Sequence, residues 1–281
     1  MRVRMSTNQR EKADVLRRLH AGPSILVLAN AWDAASARVI AAAGFPAVAS
    51  SSAGVAYALG YPDGQRIGRG EMLDMVRRIV AAVGVPVSAD VEAGYGTTPE
   101  SAAETARGVV AAGAVGMNLE DTGDAGELLP LELQVERVRA ARAAADASGV
   151  PLVLNARTDA FGVSGLAAEA RLSEAVRRAN AYLAAGADCA FVPFVSERLL
   201  LERLAREIRG PLNVLGTSAA PPIPELERMG VRRVSVGSGI ARAAYGLARR
   251  IALELKEKGA YELMADGAIS YAEMQRIFGA S

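Results

Sequence analysis

The sequence predicts an α/β fold, a closed (β/α)₈ TIM barrel, and three observations carry that expectation. A chain of 281 residues, 51% of them hydrophobic, fits a single domain built around one core. Short β-branched runs alternate with longer Ala-rich and Arg-rich segments of helical period, and eight such βα units can be counted. The runs are nearly all apolar rather than alternating, so their strands are buried on both faces, as in a parallel sheet covered by helices.

An opening helix over Thr7 to His20 precedes the first unit. The strands then fall at Ile25 to Asn30, Pro46 to Ser51, Pro86 to Glu92, Val115 to Glu120, Pro151 to Arg157, Cys189 to Pro193, Pro211 to Leu215 and Arg233 to Val236, each followed by a helix. Glycines close several of the preceding helices, in Ala43-Gly44-Phe45-Pro46, Val83-Gly84-Val85-Pro86 and Ser148-Gly149-Val150-Pro151. Residues 259–281 add a helical extension around Asp266-Gly267 that is expected to pack on a neighbour, and one domain spans 1–281 without a linker. An open doubly wound sheet is the competing architecture. It requires a glycine-rich fingerprint after its first strand, and Ala29-Asn30-Ala31-Trp32-Asp33 is not one.

Composition narrows the function. Lys plus Arg number 32 against 31 for Asp plus Glu, so no field of one sign draws nucleic acid or an anionic membrane. Met1 to Gln9 carries basic residues but no apolar core of a signal sequence, and no stretch reaches the roughly 18 apolar residues of a membrane span. The single cysteine, Cys189, builds neither a disulfide nor a thiolate metal site and, opening its strand, reads as a small core residue. A cytoplasmic protein is expected. The single histidine, His20, is placed at the end of the opening helix, exposed or facing the helix dipole, without a role.

In a barrel the strand C-termini converge on one mouth, and the polar residues there form a coherent set. Asp90 and Glu92, two apart on their strand, are expected to face the same side. Glu120 ends the next strand, and Asp63 follows the second strand in Tyr61-Pro62-Asp63. Four carboxylates in one mouth need a counter-charge, and oxygen ligands without clustered His or Cys point to Mg²⁺, with Mn²⁺ as the alternative. Arg157 offers a rigid fork of donors to a carboxylate or phosphate. The small residues Ser51, Ser52 and Ala53 let backbone N–H groups approach an anion, or else form an ordinary loop. Asp121 is read as a helix cap or a surface salt-bridge partner. Tyr95 and Asn213 are within reach of a substrate, and Gly237-Ser238-Gly239 either cradles a phosphate or caps the last barrel helix.

Together the motifs Asn30-Ala31-Trp32-Asp33, Ser51-Ser52-Ala53-Gly54, Gly60-Tyr61-Pro62-Asp63, Asp90-Val91-Glu92-Ala93-Gly94-Tyr95-Gly96, Asn118-Leu119-Glu120-Asp121 and Asn155-Ala156-Arg157-Thr158-Asp159 resemble the isocitrate lyase and phosphoenolpyruvate mutase superfamily. The resemblance implies a barrel that assembles as a homodimer or homotetramer, its last helix exchanged between neighbours. It implies Asp90 as direct Mg²⁺ ligand, with Asp63, Glu92 and Glu120 holding the metal mostly through water. Ser51 with the Ser52 and Ala53 backbone would bind the carboxylate of a small 2-oxo acid, Trp32 would flank it and Arg157 would hold an oxyanion; Asp63 and Asn213 are further candidate substrate contacts, and Arg157 and Glu120 the candidates for catalysis. The shared logic is an enolate stabilised by metal and arginine while a bond beta to the carbonyl breaks or forms.

Two departures bear on the reaction. Glu92 stands where the family has Asp, which a water-mediated contact tolerates. After Glu120, in place of the Lys-x-Cys-Gly-His loop of the family's lyases, the chain reads Asp121-Thr122-Gly123-Asp124-Ala125-Gly126-Glu127-Leu128-Leu129-Pro130, without Cys, His or Lys. A Mg²⁺-dependent lyase or hydrolase of oxaloacetate-type acids is therefore the leading expectation. 2-Methylisocitrate-type cleavage or phosphorus–carbon chemistry on phosphonopyruvate is the second, and a non-catalytic 2-oxo acid binder is the alternative from another class.

Overall fold

The computed structural model describes residues 7–123, 126–163 and 167–279. Asp124 and Ala125 of the loop after Glu120, and the N-terminal Met1 to Ser6, lie outside the described residues. Helix α1 (Thr7–Ala21) leads into β1 (Leu26–Leu28), β2 (Asn30–Ala31), α2 (Ala34–Ala42), β3 (Val48–Ser50), α3 (Ser52–Ala58), α4 (Arg69–Ala82), β4 (Val87–Ala89) and α5 (Pro99–Ala111). There follow β5 (Gly116–Glu120), α6 (Leu131–Ser148), β6 (Val153–Arg157), α7 (Ala168–Ala184), β7 (Cys189–Val192), α8 (Arg198–Glu207), β8 (Leu212–Leu215), α9 (Ile223–Arg228), β9 (Arg233–Ser235) and α10 (Gly239–Lys258). A 3₁₀ turn (Glu262–Met264) and α11 (Tyr271–Gly279) complete the chain.

All strand pairings within the sheet are parallel, and the sheet runs β1-β9-β8-β7-β6-β5-β4-β3-β2. Its two edges are β1 and β2, which are consecutive in sequence, so the sheet closes on itself as the expected barrel. The ninth segment arises because the first strand is split at Ala29: β1 pairs with β9 and β2 with β3. The Asn30 side chain spans this change of partner. Its amide Nδ2 donates to Ser50 O at 2.7 Å, and its Oδ1 accepts from the N–H groups of Val236 at 2.8 Å and Gly237 at 3.0 Å.

Local chemistry sets the helices. Asp33 and Ser36 form a reciprocal capping box at the start of α2, and Thr98 caps α5 with Pro99 in its first turn. Gly149 closes α6 in the left-handed region at φ 76°, as expected for the glycine of an αβ turn. The glycine reading does not extend to α4, which ends on an extended Val83 ahead of Gly84. The carboxy-terminal extension packs on its own chain rather than only on a neighbour, since Arg38 Nη1 of α2 donates to Phe278 O at 3.0 Å and its guanidinium lies over the Phe278 ring. Among the described residues, no helix is long and apolar enough to cross a membrane.

Helix α1 plugs the N-terminal end of the barrel. Leu16 is fully buried, and a Cβ at Gly116 would come within 2.9 Å of it, so that strand residue leaves room for the plug. His20 is buried beside it, correcting the expectation of an exposed residue. Its Nδ1–H donates to Leu16 O at 2.8 Å and its Nε2 accepts from Arg233 Nη1 at 3.3 Å, which fixes the neutral tautomer. Burial, then the Arg233 charge, lower its pKa to about 4 from 6.5. Below pH 6.5 the unfolded chain therefore takes up a proton that the native chain refuses until about pH 4, and stability falls across that window. The expected loss attributable to this group is on the order of 3 kcal/mol. Urea titrations of wild type and His20→Gln between these pH values check this: the variant should show the flatter profile.

Candidate active site

Strand β4 stops at Ala89, so Asp90 and Glu92 lie beyond it and strand alternation does not place them. Glu92 instead adopts φ 51°, in the left-handed region, and its side chain is buried. There its Oε2 accepts from Gln65 N, while Oε1 is buried without a partner among the described residues. Asp90 is held in place from three sides. Its Oδ2 accepts from the N–H and the hydroxyl of Ser52, each at 2.9 Å, and its Oδ1 accepts from Asn118 Nδ2 at 3.2 Å. Asn118 Oδ1 in turn accepts from Asn155 Nδ2 at 2.7 Å, so adjacent strands pass the orientation along.

Ser52 thus serves Asp90, and Ser51 caps α3 by accepting from Gly54 N at 3.2 Å. The Ser51 to Gly54 segment is a helix start rather than a loop. Asp63 reaches the same cavity from beyond α3, at its exposed rim. The cavity measures about 570 Å³, and its wall includes Ser51, Ser52, Ala53, Asp63, Asp90 and Arg157.

Arg157, ending β6, is clamped by acids. Nη1 meets Glu120 Oε2 at 2.7 Å, while Nε and Nη2 donate to the two oxygens of Asp159 at 2.6 and 2.9 Å. Burial disfavours its charge, but Glu120 and Asp159 outweigh that and raise its pKa. Burial pushes the Glu120 carboxyl up against the pull of Arg157, with Asp159 and Asp90 adding to the push. Glu92 is pushed up to about 7 by burial and then by Asp90, and Asp63 is raised by the same two causes. The mouth is therefore short of positive charge. Among the described residues no three His, Cys, Asp or Glu side chains group closely enough to cage a metal directly. One inward carboxylate, Asp90, with acids set back from it and an unpartnered Glu92 oxygen, fits a hard cation that keeps most of its waters.

Glu92 and Glu120 are not part of the cavity wall, and three expected substrate contacts also sit elsewhere. Asn213 is fully buried within the barrel, donating to Ser235 Oγ at 3.2 Å, and does not line the cavity. Trp32 is also outside the lining and packs beside Gly54 and Tyr245. Tyr95 at φ 59° buries its hydroxyl in the field of Glu92 and Asp90, and burial first, then those charges, push its pKa up. Ser238 lines the cavity but makes no side-chain cap for α10. Sequence reasoning missed the Thr217, Ser218 and Arg242 side of the wall and the loop residue Phe194. Asp159 was legible only as part of its motif, although its position two residues after an inward arginine suits a clamp. Cys189 is fully buried and burial pushes its thiol up to about 12, as befits a core residue.

Asp121 is neither a cap nor a surface partner. Fully buried, it accepts from Tyr182 Oη at 2.6 Å, Arg178 Nη1 at 3.1 Å and Asp159 N at 2.9 Å, and so holds the backbone of the residue that clamps Arg157. Thr122 adds a hydroxyl donated to Asp159 Oδ2 at 2.6 Å.

A parallel barrel whose C-terminal mouth gathers carboxylates and one clamped arginine defines the class of barrel enzymes that carry their site at the strand ends. Over residues 16–256 the chain matches the phosphoenolpyruvate phosphomutase family, and it belongs to that family, within the isocitrate lyase and phosphoenolpyruvate mutase superfamily of lyases and mutases. It is 29% identical over 269 residues to 2-methylisocitrate lyase of Bacillus subtilis (strain 168), covering 92% of this chain and 86% of the relative. It is 32% identical over 233 residues to an oxaloacetate decarboxylase of Rhodopseudomonas palustris (strain ATCC BAA-98 / CGA009), covering 81% and 78%. A structure of oxaloacetate acetylhydrolase with the product oxalate superposes with TM-score 0.85 at 25% identity, covering 96% of this chain and 94% of that one. Phosphonopyruvate hydrolase with oxalate and Mg²⁺ gives TM-score 0.83 at 25% identity and 95% coverage of each chain.

The Asp121 hub makes a stability prediction. Asp121→Asn removes the carboxylate shared by Arg178, Tyr182 and the Asp159 N–H, leaving Arg178 with Glu174 as its acid, and should cost about 3–5 kcal/mol, whereas Tyr182→Phe keeps the Arg178–Asp121 pair, removes only the hydroxyl that bridges them and should cost less, about 1.5–3 kcal/mol. Urea unfolding of both variants checks the order, and equal costs would show that Arg178 does not depend on Asp121.

Proposed function

We propose that this chain is a Mg²⁺-dependent lyase or hydrolase acting on a small 2-oxo(di)carboxylate, by oxaloacetate-type decarboxylation or carbon–carbon cleavage. The observation that carries the reading is Arg157, largely shielded and clamped by Glu120 and Asp159 while lining the same cavity as Asp90. Three of its N–H groups are taken by the clamp, which leaves two of the five guanidinium donors for a ligand. Asp90, with Asp63, Glu92 and Glu120 through water, would hold the cation, which supplies Lewis-acid polarisation of the 2-oxo group when bound.

The chain's own residues supply the rest. Arg157 receives the negative charge that develops on the enolate oxygen as the electron pair of the broken bond moves into the oxo acid. Ser51 and the Ala53 backbone lie on the wall where the substrate carboxylate would rest, and Thr217 and Ser218 offer hydroxyls on the other side. The enolate carbon takes its proton from water. Cys189 is too deeply buried to donate, and the Thr122 to Pro130 loop contains no Cys, His or Lys. These features favour decarboxylation or hydrolysis over thiol-dependent cleavage, with phosphorus–carbon chemistry as the alternative supported by the phosphonopyruvate hydrolase likeness.

The single reduced cysteine accords with a cytoplasmic enzyme. A homodimer or homotetramer accounts for α10, whose Ile240, Tyr245, Leu253 and Leu255 are exposed on a helix that buries Ala241 and Glu254. Sedimentation should give two or four times the monomer mass, and a monomer at micromolar concentration rejects the exchanged helix.

NMR-monitored turnover of oxaloacetate, 2-methylisocitrate and phosphonopyruvate with Mg²⁺ tests the reaction. Calorimetry with oxalate tests the site. Asp90→Ala should abolish Mg²⁺-dependent oxalate binding while leaving the circular dichroism of the barrel intact, and retained binding would sink the assignment.

A further inference from the structure

The loop after β7 carries an outlier. Phe194 has φ 63°, a region that bulky residues avoid, and its side chain is 55% exposed at the cavity mouth. Neither feature is expected of a residue serving only the core, since the ring is poorly buried and the backbone is strained. The surroundings are built around the ring all the same. The Arg157 guanidinium lies 5.5 Å from its centroid, and a Cβ at Gly162 would come within 3.1 Å of the ring, so the neighbouring loop has only backbone to offer there. The cavity has two characters as a result. Around Asp90, Ser51 and Arg157 the wall is polar, whereas Phe191, Pro193, Phe194 and Leu215, from the ends of β7 and β8, give it an apolar side.

We propose that Phe194 is a specificity-determining residue, an apolar wall that selects 2-oxo acids carrying a hydrocarbon substituent beyond the oxo group. The inference rests on the site reading given above: the oxo-carboxylate end sits between the cation and Arg157, and the substituent lies along the phenyl ring, covering its exposed face.

The test is calorimetric titration of the full chain with Mg²⁺ and four probes: oxalate, pyruvate, 2-oxobutanoate and 2-oxopentanoate. Affinity should rise roughly fourfold per methylene, the equivalent of about 0.8 kcal/mol, so 2-oxopentanoate should bind about tenfold or more tightly than pyruvate. In Phe194→Gly that ratio should fall below about threefold, while Phe194→Tyr, which keeps a ring, should retain it. Glycine prefers the backbone conformation at this position, so the glycine variant should melt no lower than wild type. Metal-dependent oxalate binding with no wild-type preference along the series overturns the inference alone, as does an unchanged ratio in Phe194→Gly. Absence of metal-dependent oxalate binding in wild type overturns the site reading and this inference with it.

Discussion

The structure depends first on how the barrel is closed. Leu26–Leu28 pair with β9 and Asn30–Ala31 with β3, so at the seam of the barrel each short ladder serves only one side. The Asn30 amide serves both by presenting a donor to Ser50 O and an acceptor to two consecutive N–H groups at the end of β9. A side chain with only one kind of polar atom would leave buried backbone groups unpaired on one side. Closure at this point brings the ends of β3, β4 and β6 to a common mouth with the loop that starts α10, so that carboxylates and arginine from distant parts of the chain meet.

Crowding of charge then organises the mouth. Acids near one another repel, and burial adds to the cost of ionising Asp63, Glu92 and Glu120, so all three are raised. The arrangement tolerates this by dividing the acids. Glu120 and Asp159 are spent on Arg157, and Asp90 is held by Ser52 and Asn118, which leaves Glu92 with an unsatisfied oxygen. Behind them Asp121, with Arg178 and Tyr182, fixes the backbone of Asp159 at no cost to the cavity side. Clamping of this kind limits the reorganisation that Arg157 would undergo as negative charge develops beside it.

Much of this was legible in the sequence because strand ends in a barrel have a fixed destination. Asp90, Arg157 and the small residues at Ser51 to Ala53 reach the cavity as their positions predict. Glu92 does not join that wall; it sits buried in a left-handed turn that no period-two pattern encodes. Asn213 and His20 were misplaced because a polar residue inside a barrel looks the same in sequence whether it faces the ligand, a neighbouring strand or the plugged floor. Their burial comes from tertiary partners, Ser235 for one and Arg233 for the other. Asp121 follows Glu120 directly, so its opposite orientation was predictable. The buried Tyr182 and Arg178 that receive it, some sixty residues on, were not. Thr217 faces the cavity from a loop, and Arg242 from the first turn of α10, whose approach to the mouth local sequence does not specify.

The distribution of strain argues that the mouth, rather than the core, is what the fold is shaped to serve. Among the described residues, the non-glycine positions with positive φ are Gln65, Glu92, Tyr95 and Phe194. The first three form one unit in which Gln65 N donates to Glu92 and Tyr95 N donates to Gln65 Oε1 at 2.7 Å, while Phe194 lies against Arg157. Each such residue costs on the order of 1–3 kcal/mol, and nothing in the packing of the barrel requires that cost, since the strands and helices are otherwise unstrained. The cost is concentrated where a carboxylate must be turned inward against its neighbours' charge and where an aromatic ring must stand at the cavity edge. Stability elsewhere, in the α1 plug and the closed sheet, is what permits it.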